Sequence, residues 1–136
     1  MNKKVLFITD SLEDLDLKKD TSILMMEESI KLGFDVYQCM VEDLYAENSE
    51  VIVFAKKITT ASTSEIKFED ASTHSIKTFE YSFMRKDPPV DEDYINALHL
   101  LGLAQAMGTK VFNNPVSIKE FNEKVFAIHF AKYIPE

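Results

Sequence analysis

Two short charged clusters follow apolar runs and carry residue types that bind anions. Arg85, Lys86 and Asp87 come directly after the run that ends at Met84, and Asp10 opens a loop leading to Lys18, Lys19 and Asp20. An arginine at the tip of a strand offers a planar fork suited to a carboxylate or a phosphate. The competing reading of Arg85 is a solvated turn with an ion pair to Asp87. Lys18 and Lys19 precede a predicted helix start, where unpaired backbone N–H groups and the helix dipole favour an anion. The plainer reading is a pair of surface lysines.

Other chemistries lack their residues. His74, His99 and His129 share no ligand spacing, so a zinc site is not expected. Glu13, Asp14 and Asp16 form an acidic loop without the glycine and terminal glutamate of a calcium loop, and they read as solvated. With only Gly33, Gly102 and Gly108, neither a dinucleotide fingerprint nor a Walker loop can be written. No Ser-His-Asp set can be argued. Cys39 has no partner for an internal disulfide and reads as a small apolar side chain in a reducing compartment.

The elements that must hold these residues can be traced from the pattern. Val5 to Ile8 is a continuous apolar run, the mark of a central strand covered on both faces. Ile23, Met26 and Ile30 recur at helical spacing, so a helix is predicted from about Asp20 to Leu32, closed by Gly33. Phe34 to Met40 is a second strand, and the order strand, helix, strand suggests a parallel crossover. Asp43 to Ser75 reads as an excursion of hairpins and loops, with Val51–Phe54 and Ile66/Phe68 as exposed antiparallel strands. Thr78 to Met84 is a further strand, stopped by Pro88 and Pro89.

Asp91, Glu92 and Asp93 open a helix with Ala97, Leu98, Leu101 and Ala104 on one face and its end near Gly108. Lys110 to Asn113 is a short strand. Ser117 to Glu120 fits a capping box for a last helix that would bury Phe121, Val125 and Ile128. The expected class is α/β, an open and mostly parallel sheet with helices on both faces and a β-hairpin excursion. One domain over residues 1–132 is expected, with 133–136 as the start of a linker.

Composition narrows the partners. At 136 residues with 46% hydrophobic side chains the chain can bury one ordinary core. The formal charge of −8 argues against broad nucleic-acid binding, which needs a surplus of cations on one face. No run approaches the roughly 18 apolar residues of a membrane span, and residues 1–10 do not form a signal peptide. A cytoplasmic protein is the expectation.

The stretch Met84-Arg85-Lys86-Asp87-Pro88-Pro89, with Asp91 two residues on, is similar to the signature M-R-K-D-P-P-x-D of prokaryotic glutathione synthetases. Lys18 to Ser22, Asp43-Leu44-Tyr45, Asn114-Pro115 and Ser117 through Asn122-Glu123-Lys124 match in the same order, so the resemblance spans nearly the whole chain. Ser11 stands where that family often has proline, and Val90 where it often has phenylalanine. The resemblance implies a pre-ATP-grasp, Rossmann-like domain on the substrate side of an ATP-dependent ligase. That ligase joins γ-glutamylcysteine and glycine through an acyl phosphate, using ATP and Mg2+, and it assembles as a homo-oligomer. Carried over by motif, Arg85 would touch γ-glutamylcysteine, Lys19 and Asp20 are weaker substrate-side candidates, and Lys124 would bind ATP phosphate. The catalytic groups, the metal ligands and the glycine-rich loop would lie beyond Glu136, leaving this chain inactive alone and without a tightly bound cofactor. A stand-alone binding or assembly module with the same fold is the alternative.

Overall fold

The computed structural model describes residues 2–120 together with His129, Lys132 and Tyr133. Strand β1 (Lys4–Ile8) lies in the middle of the sheet, parallel to β2 (Asp35–Cys39) on one side and to β7 (Tyr81–Met84) on the other. Outside β7 runs the short parallel strand β8 (Val111–Phe112). Beyond β2 the sheet turns antiparallel with the long β4 (Glu50–Ala61), which also pairs β3 (Leu44–Glu47), β5 (Ile66–Phe68) and β6 (Ser72–Ser75). The resulting order is β3-β4-β2-β1-β7-β8.

Side chains of a strand alternate between faces, and β1 uses both. Val5 and Phe7 face helix α1 (Thr21–Lys31) and pack with Ile23, Met26, Val36 and Ile58. Leu6 and Ile8 face helix α2 (Glu92–Ala106) and pack with Ala97, Leu98, Leu101 and Val53. All four β1 residues are at most 2% exposed. That explains the unbroken apolar run, because each such side chain withdrawn from water contributes roughly 1.5–3 kcal/mol. Helices therefore cover both faces of an α/β sheet, as expected from the sequence.

Local chemistry sets the helix ends. Asp20 caps α1, its Oδ1 accepting from Ser22 N at 2.8 Å, and Asp91 caps α2 by accepting from Tyr94 N at 2.9 Å. After α1 the chain passes through Gly33 at φ +88°, a conformation that favours a residue without Cβ.

Three expectations change. Val51–Phe54 is not an exposed strand: Val51, Ile52 and Val53 are buried, and only Phe54 stands out at 47% exposure. The hairpins expected between Asp43 and Ser75 do form, and β4 ties them into the main sheet by pairing directly with β2. The β3–β4 hairpin closes through Asn48 and Ser49, both at positive φ, the two-residue geometry that matches strand twist. The strand before Arg85 begins at Tyr81, since Ile76–Thr78 forms a short 3-10 turn.

The third change is the last helix, α3 (Pro115–Glu120), which starts three residues earlier than the capping box implied. Asn114 Oδ1 accepts from Val116 N at 3.0 Å and from Ser117 N at 3.3 Å, so Asn114 is the cap and Ser117 lies inside the first turn. Pro115 decides this: its fixed φ and missing N–H suit the first helical position. Phe121, Val125 and Ile128 lie outside the described residues.

Candidate functional site

Strands β1 and β7 run parallel with Ile8 opposite Met84, so the residues after each emerge at the same edge of the sheet. In open α/β sheets this carboxyl edge is where ligands sit, because its loops vary while the strands hold them. Asp10 follows β1 there, and Arg85 to Asp87 follow β7. Arg85 is tied to β1 by its own N–H, which donates to Ile8 O at 2.8 Å.

Arg85 carries on the alternation of β7 and falls on the same face as Phe83, the α1 side. Its Nε donates to Ser22 Oγ at 3.2 Å. Ser22 is 2% exposed, and its own N–H donates to Asp20 Oδ1. Asp20, Ser22 and Arg85 thus form one chain of hydrogen bonds across the head of α1. Among the described residues the two terminal guanidinium nitrogens have no protein partner, and Arg85 makes no ion pair. The alternative of an Arg85–Asp87 ion pair is therefore corrected.

The carboxylate that does engage this loop is Asp10. Lys86 Nζ donates to its Oδ1 at 2.7 Å, and Asp87 N donates to its Oδ2 at 3.0 Å. Burial alone would raise the Asp10 pKa, but the Lys86 hydrogen bond and charge and the Asp87 N–H outweigh it and hold the carboxyl below its ordinary value. The same hydrogen bond raises Lys86. Asp10 is a clamp with both oxygens in use, and Lys86 is its partner. Arg85 remains the cation with nitrogens free to meet a ligand.

The other sequence candidates fall as follows. Lys18 and Lys19 are exposed at the entry to α1, on a turn in which Asp16 Oδ1 accepts from Lys18 N and Asp16 O accepts from the N–H groups of Lys19 and Asp20. The structure joins Asp20 to Arg85 through Ser22; it makes no such link for the Lys19 ammonium among the described residues. Lys124 lies outside the described residues. Cys39 is buried, and burial first, then Asp43 and Glu42, push its thiol pKa well up, which fits an inert core thiol. His74 is half-buried, stands edge-on against Tyr37 and Phe79 and bonds Lys4 and Ser72.

Two residues were missed. By sequence Ser22 is only a residue in the first turn of the predicted helix. Gln38 carried a usable signal, a polar residue inside the apolar strand Val36–Cys39, because a buried polar group must find partners. It is 3% exposed, and its Nε2 donates to Thr9 Oγ1 at 3.0 Å, Cys39 O at 3.2 Å and Asp10 O at 3.3 Å. This fixes the backbone from which Asp10 reaches Lys86. Among the described residues no set of three histidine, cysteine or carboxylate side chains could hold a metal ion, and no helix is long and apolar enough to cross a membrane.

Comparison with known proteins points one way. Residues 3–119 match the family model described as prokaryotic glutathione synthetase, N-terminal domain. The chain is 33% identical over 129 residues to the glutathione synthetase of Parasynechococcus marenigrum, covering 95% of this chain and 41% of that protein. It is 31% identical over 135 residues to the Salmonella typhi enzyme of the same name (98% and 43%) and 34% identical over 137 residues to that of Nitrosomonas europaea (97% and 43%). The chain spans about two-fifths of the length of these relatives.

Proposed function

Because this chain belongs to the N-terminal domain family of prokaryotic glutathione synthetase, we propose that it forms the substrate-side wall of an ATP-dependent ligase joining γ-glutamylcysteine to glycine. In that reaction the cysteinyl carboxylate attacks the terminal phosphorus of ATP and ADP leaves. The amine of glycine then attacks the acyl carbon, loses a proton and expels phosphate. Residues 1–132 are the domain, and 133–136 lead toward the part of the enzyme that carries the nucleotide.

The single observation that supports this reading is the Arg85 guanidinium, fixed at Nε by the buried Ser22 hydroxyl with its terminal nitrogens unused. A prepositioned cation at the carboxyl edge of the sheet suits the carboxylate of a small peptide and the negative charge that builds up on it during acyl transfer. Asp10 and Lys86 hold the loop that carries it. Lys19 and the capping Asp20 line the neighbouring entry to α1, and Lys124 is the candidate for an ATP phosphate. ATP would bring Mg2+, which supplies positive charge beside the transferring phosphate. Work in the cytoplasm, as a homo-oligomer, completes the proposal.

The test uses the full-length enzyme. Arg85→Ala is expected to weaken γ-glutamylcysteine by about 2 to 5 kcal/mol, the scale for losing one partner of a buried charged contact, while ATP affinity stays within about twofold. Equal losses for both ligands, or none for the peptide, would overturn the role.

A further inference from the structure

On the other side of the Asp10 loop from Arg85 lies a cavity of about 110 Å³, lined by Ser11, Gln38, Asp43, Phe54, Lys56 and Ala71 among others. It is well below the roughly 300 Å³ of a complete small-molecule site, so it fits one end of a ligand. Gln38 and Lys56 are directly opposed across the β2–β4 ladder and share the α1 face with Val36 and Ile58.

The lining has an unusual charge arrangement. Lys56 makes no ion pair among the described residues; its Nζ sits 4.6 Å over the Phe68 ring. Asp43 uses Oδ2 to accept from Met40 N at 2.8 Å, and Oδ1 has no partner among the described residues. The two opposite charges share one small cavity without pairing with each other. Gln38 is held by three acceptors at Nε2, which sets its amide orientation and leaves Oε1 to accept. A phosphate here would meet Asp43, a simple cation would meet Lys56, and an apolar group would desolvate both. A ligand bearing both charges satisfies all three groups.

Resting on the ligase reading above, we propose that this cavity is the subsite for the α-amino-acid end of the γ-glutamyl group, with Lys56 on its α-carboxylate and Asp43 and Gln38 on its α-ammonium. Reach agrees with this. Lys56 stands on β4 and Arg85 follows β7, three strand spacings apart with β2 and β1 between, or about 14–15 Å. An extended γ-glutamylcysteine spans roughly 8–10 Å, and a hydrogen bond of about 3 Å at each end extends the reach to about 14–16 Å, so one molecule can put its γ-glutamyl head at Lys56 and its cysteinyl carboxylate at Arg85.

The experiment follows NMR signals within the full-length enzyme, the Gln38 side-chain amide, the Ala71 amide and Arg85 Nε–H, during titration to millimolar γ-glutamylcysteine. Two analogues accompany it: glutarylcysteine, which lacks the α-ammonium, and 4-aminobutyrylcysteine, which lacks the α-carboxylate. Both analogues are expected to bind about tenfold more weakly or worse. Lys56→Gln should weaken γ-glutamylcysteine to a similar degree and leave 4-aminobutyrylcysteine unchanged. If the analogues bind as well as the parent while Arg85 responds and Gln38 and Ala71 do not, the subsite is overturned and the Arg85 role stands. If γ-glutamylcysteine moves none of the three signals, both fail. The analogue comparison needs no variant, so a misfolded Lys56→Gln leaves it decisive.

Discussion

The Ser22 hydroxyl, 2% exposed at the head of α1, accepts a hydrogen bond from Arg85 Nε at 3.2 Å, joining positions 63 residues apart in the chain. Ser22 therefore acts as a positioning residue for the guanidinium. Ser22→Ala leaves the charge of Arg85 intact but removes the acceptor that orients it. The full-length enzyme is expected to bind γ-glutamylcysteine about three- to tenfold more weakly, with ATP affinity unchanged and a stability loss of about 1 kcal/mol. Calorimetric titration with each ligand and urea unfolding separate the two effects; equal weakening of ATP would mark the change as merely structural.

Asp10 makes the acid limb of stability predictable. Its pKa lies below the ordinary carboxylate value because Lys86 and the Asp87 N–H outweigh burial. The sign follows: the contribution is complete above the ordinary value of 3.8 and is lost as pH falls through the lower value of the folded state. Asp10→Asn should flatten this part of the curve and destabilise the chain at neutral pH by about 1.5 to 3 kcal/mol, since Lys86 loses a charged partner. Urea midpoints measured from pH 7 to pH 3 for both proteins check it. Parallel curves would show that the clamp does not carry the dependence.

What could be read from the sequence was whatever is encoded locally. The apolar run of β1, the 3.6-residue spacing in α1 and Gly33 after it each depend on neighbours within a few positions, and each was legible. Arg85 was legible as a strand-end cation, yet its partner was not, because no pattern links it to Ser22. The burial of β4 was hidden for the same reason: its cover comes from α2 and from ladders to β2, β3 and β6, all settled by tertiary pairing. The cavity at Lys56 needs β2, β4 and the Asp10 loop together, and these meet only in the fold.

His74 should make the N-terminal end of the sheet sensitive to mild acid. Lys4 Nζ lies 3.1 Å from His74 Nδ1, and an ammonium can only donate, so Nδ1 accepts and Nε2–H donates to Ser72 Oγ at 2.8 Å. Protonating Nδ1 would set a second cation against Lys4. Burial first, then Lys4, lowers the pKa below the usual histidine value. The neutral form is thus favoured in the fold; this contribution is present above pH 6.5 and is lost as pH falls through the depressed value. The urea midpoint is expected to be lower at pH 5 than at pH 7.5, by more than in His74→Phe, which keeps the ring packing and cannot titrate. An equal drop in both proteins would assign the change elsewhere.

The start of α3 separates two caps that the sequence alone left in competition. Ser117 with Glu120 satisfies the capping-box pattern, while Asn114 with Pro115 satisfies an earlier start. In the fold Asn114 Oδ1 takes the N–H groups of Val116 and Ser117, groups that a helix's own carbonyls cannot reach. Asn114→Ala should therefore cost about 1 kcal/mol and Asn114→Asp almost nothing, since the acid keeps the acceptor and adds charge at the favourable end of the dipole. Ser117→Ala, inside the first turn, should stay within about 0.5 kcal/mol of the parent. Urea unfolding of the three variants gives the order directly. A larger loss for Ser117→Ala than for Asn114→Ala would move the helix start three residues on and restore the capping box.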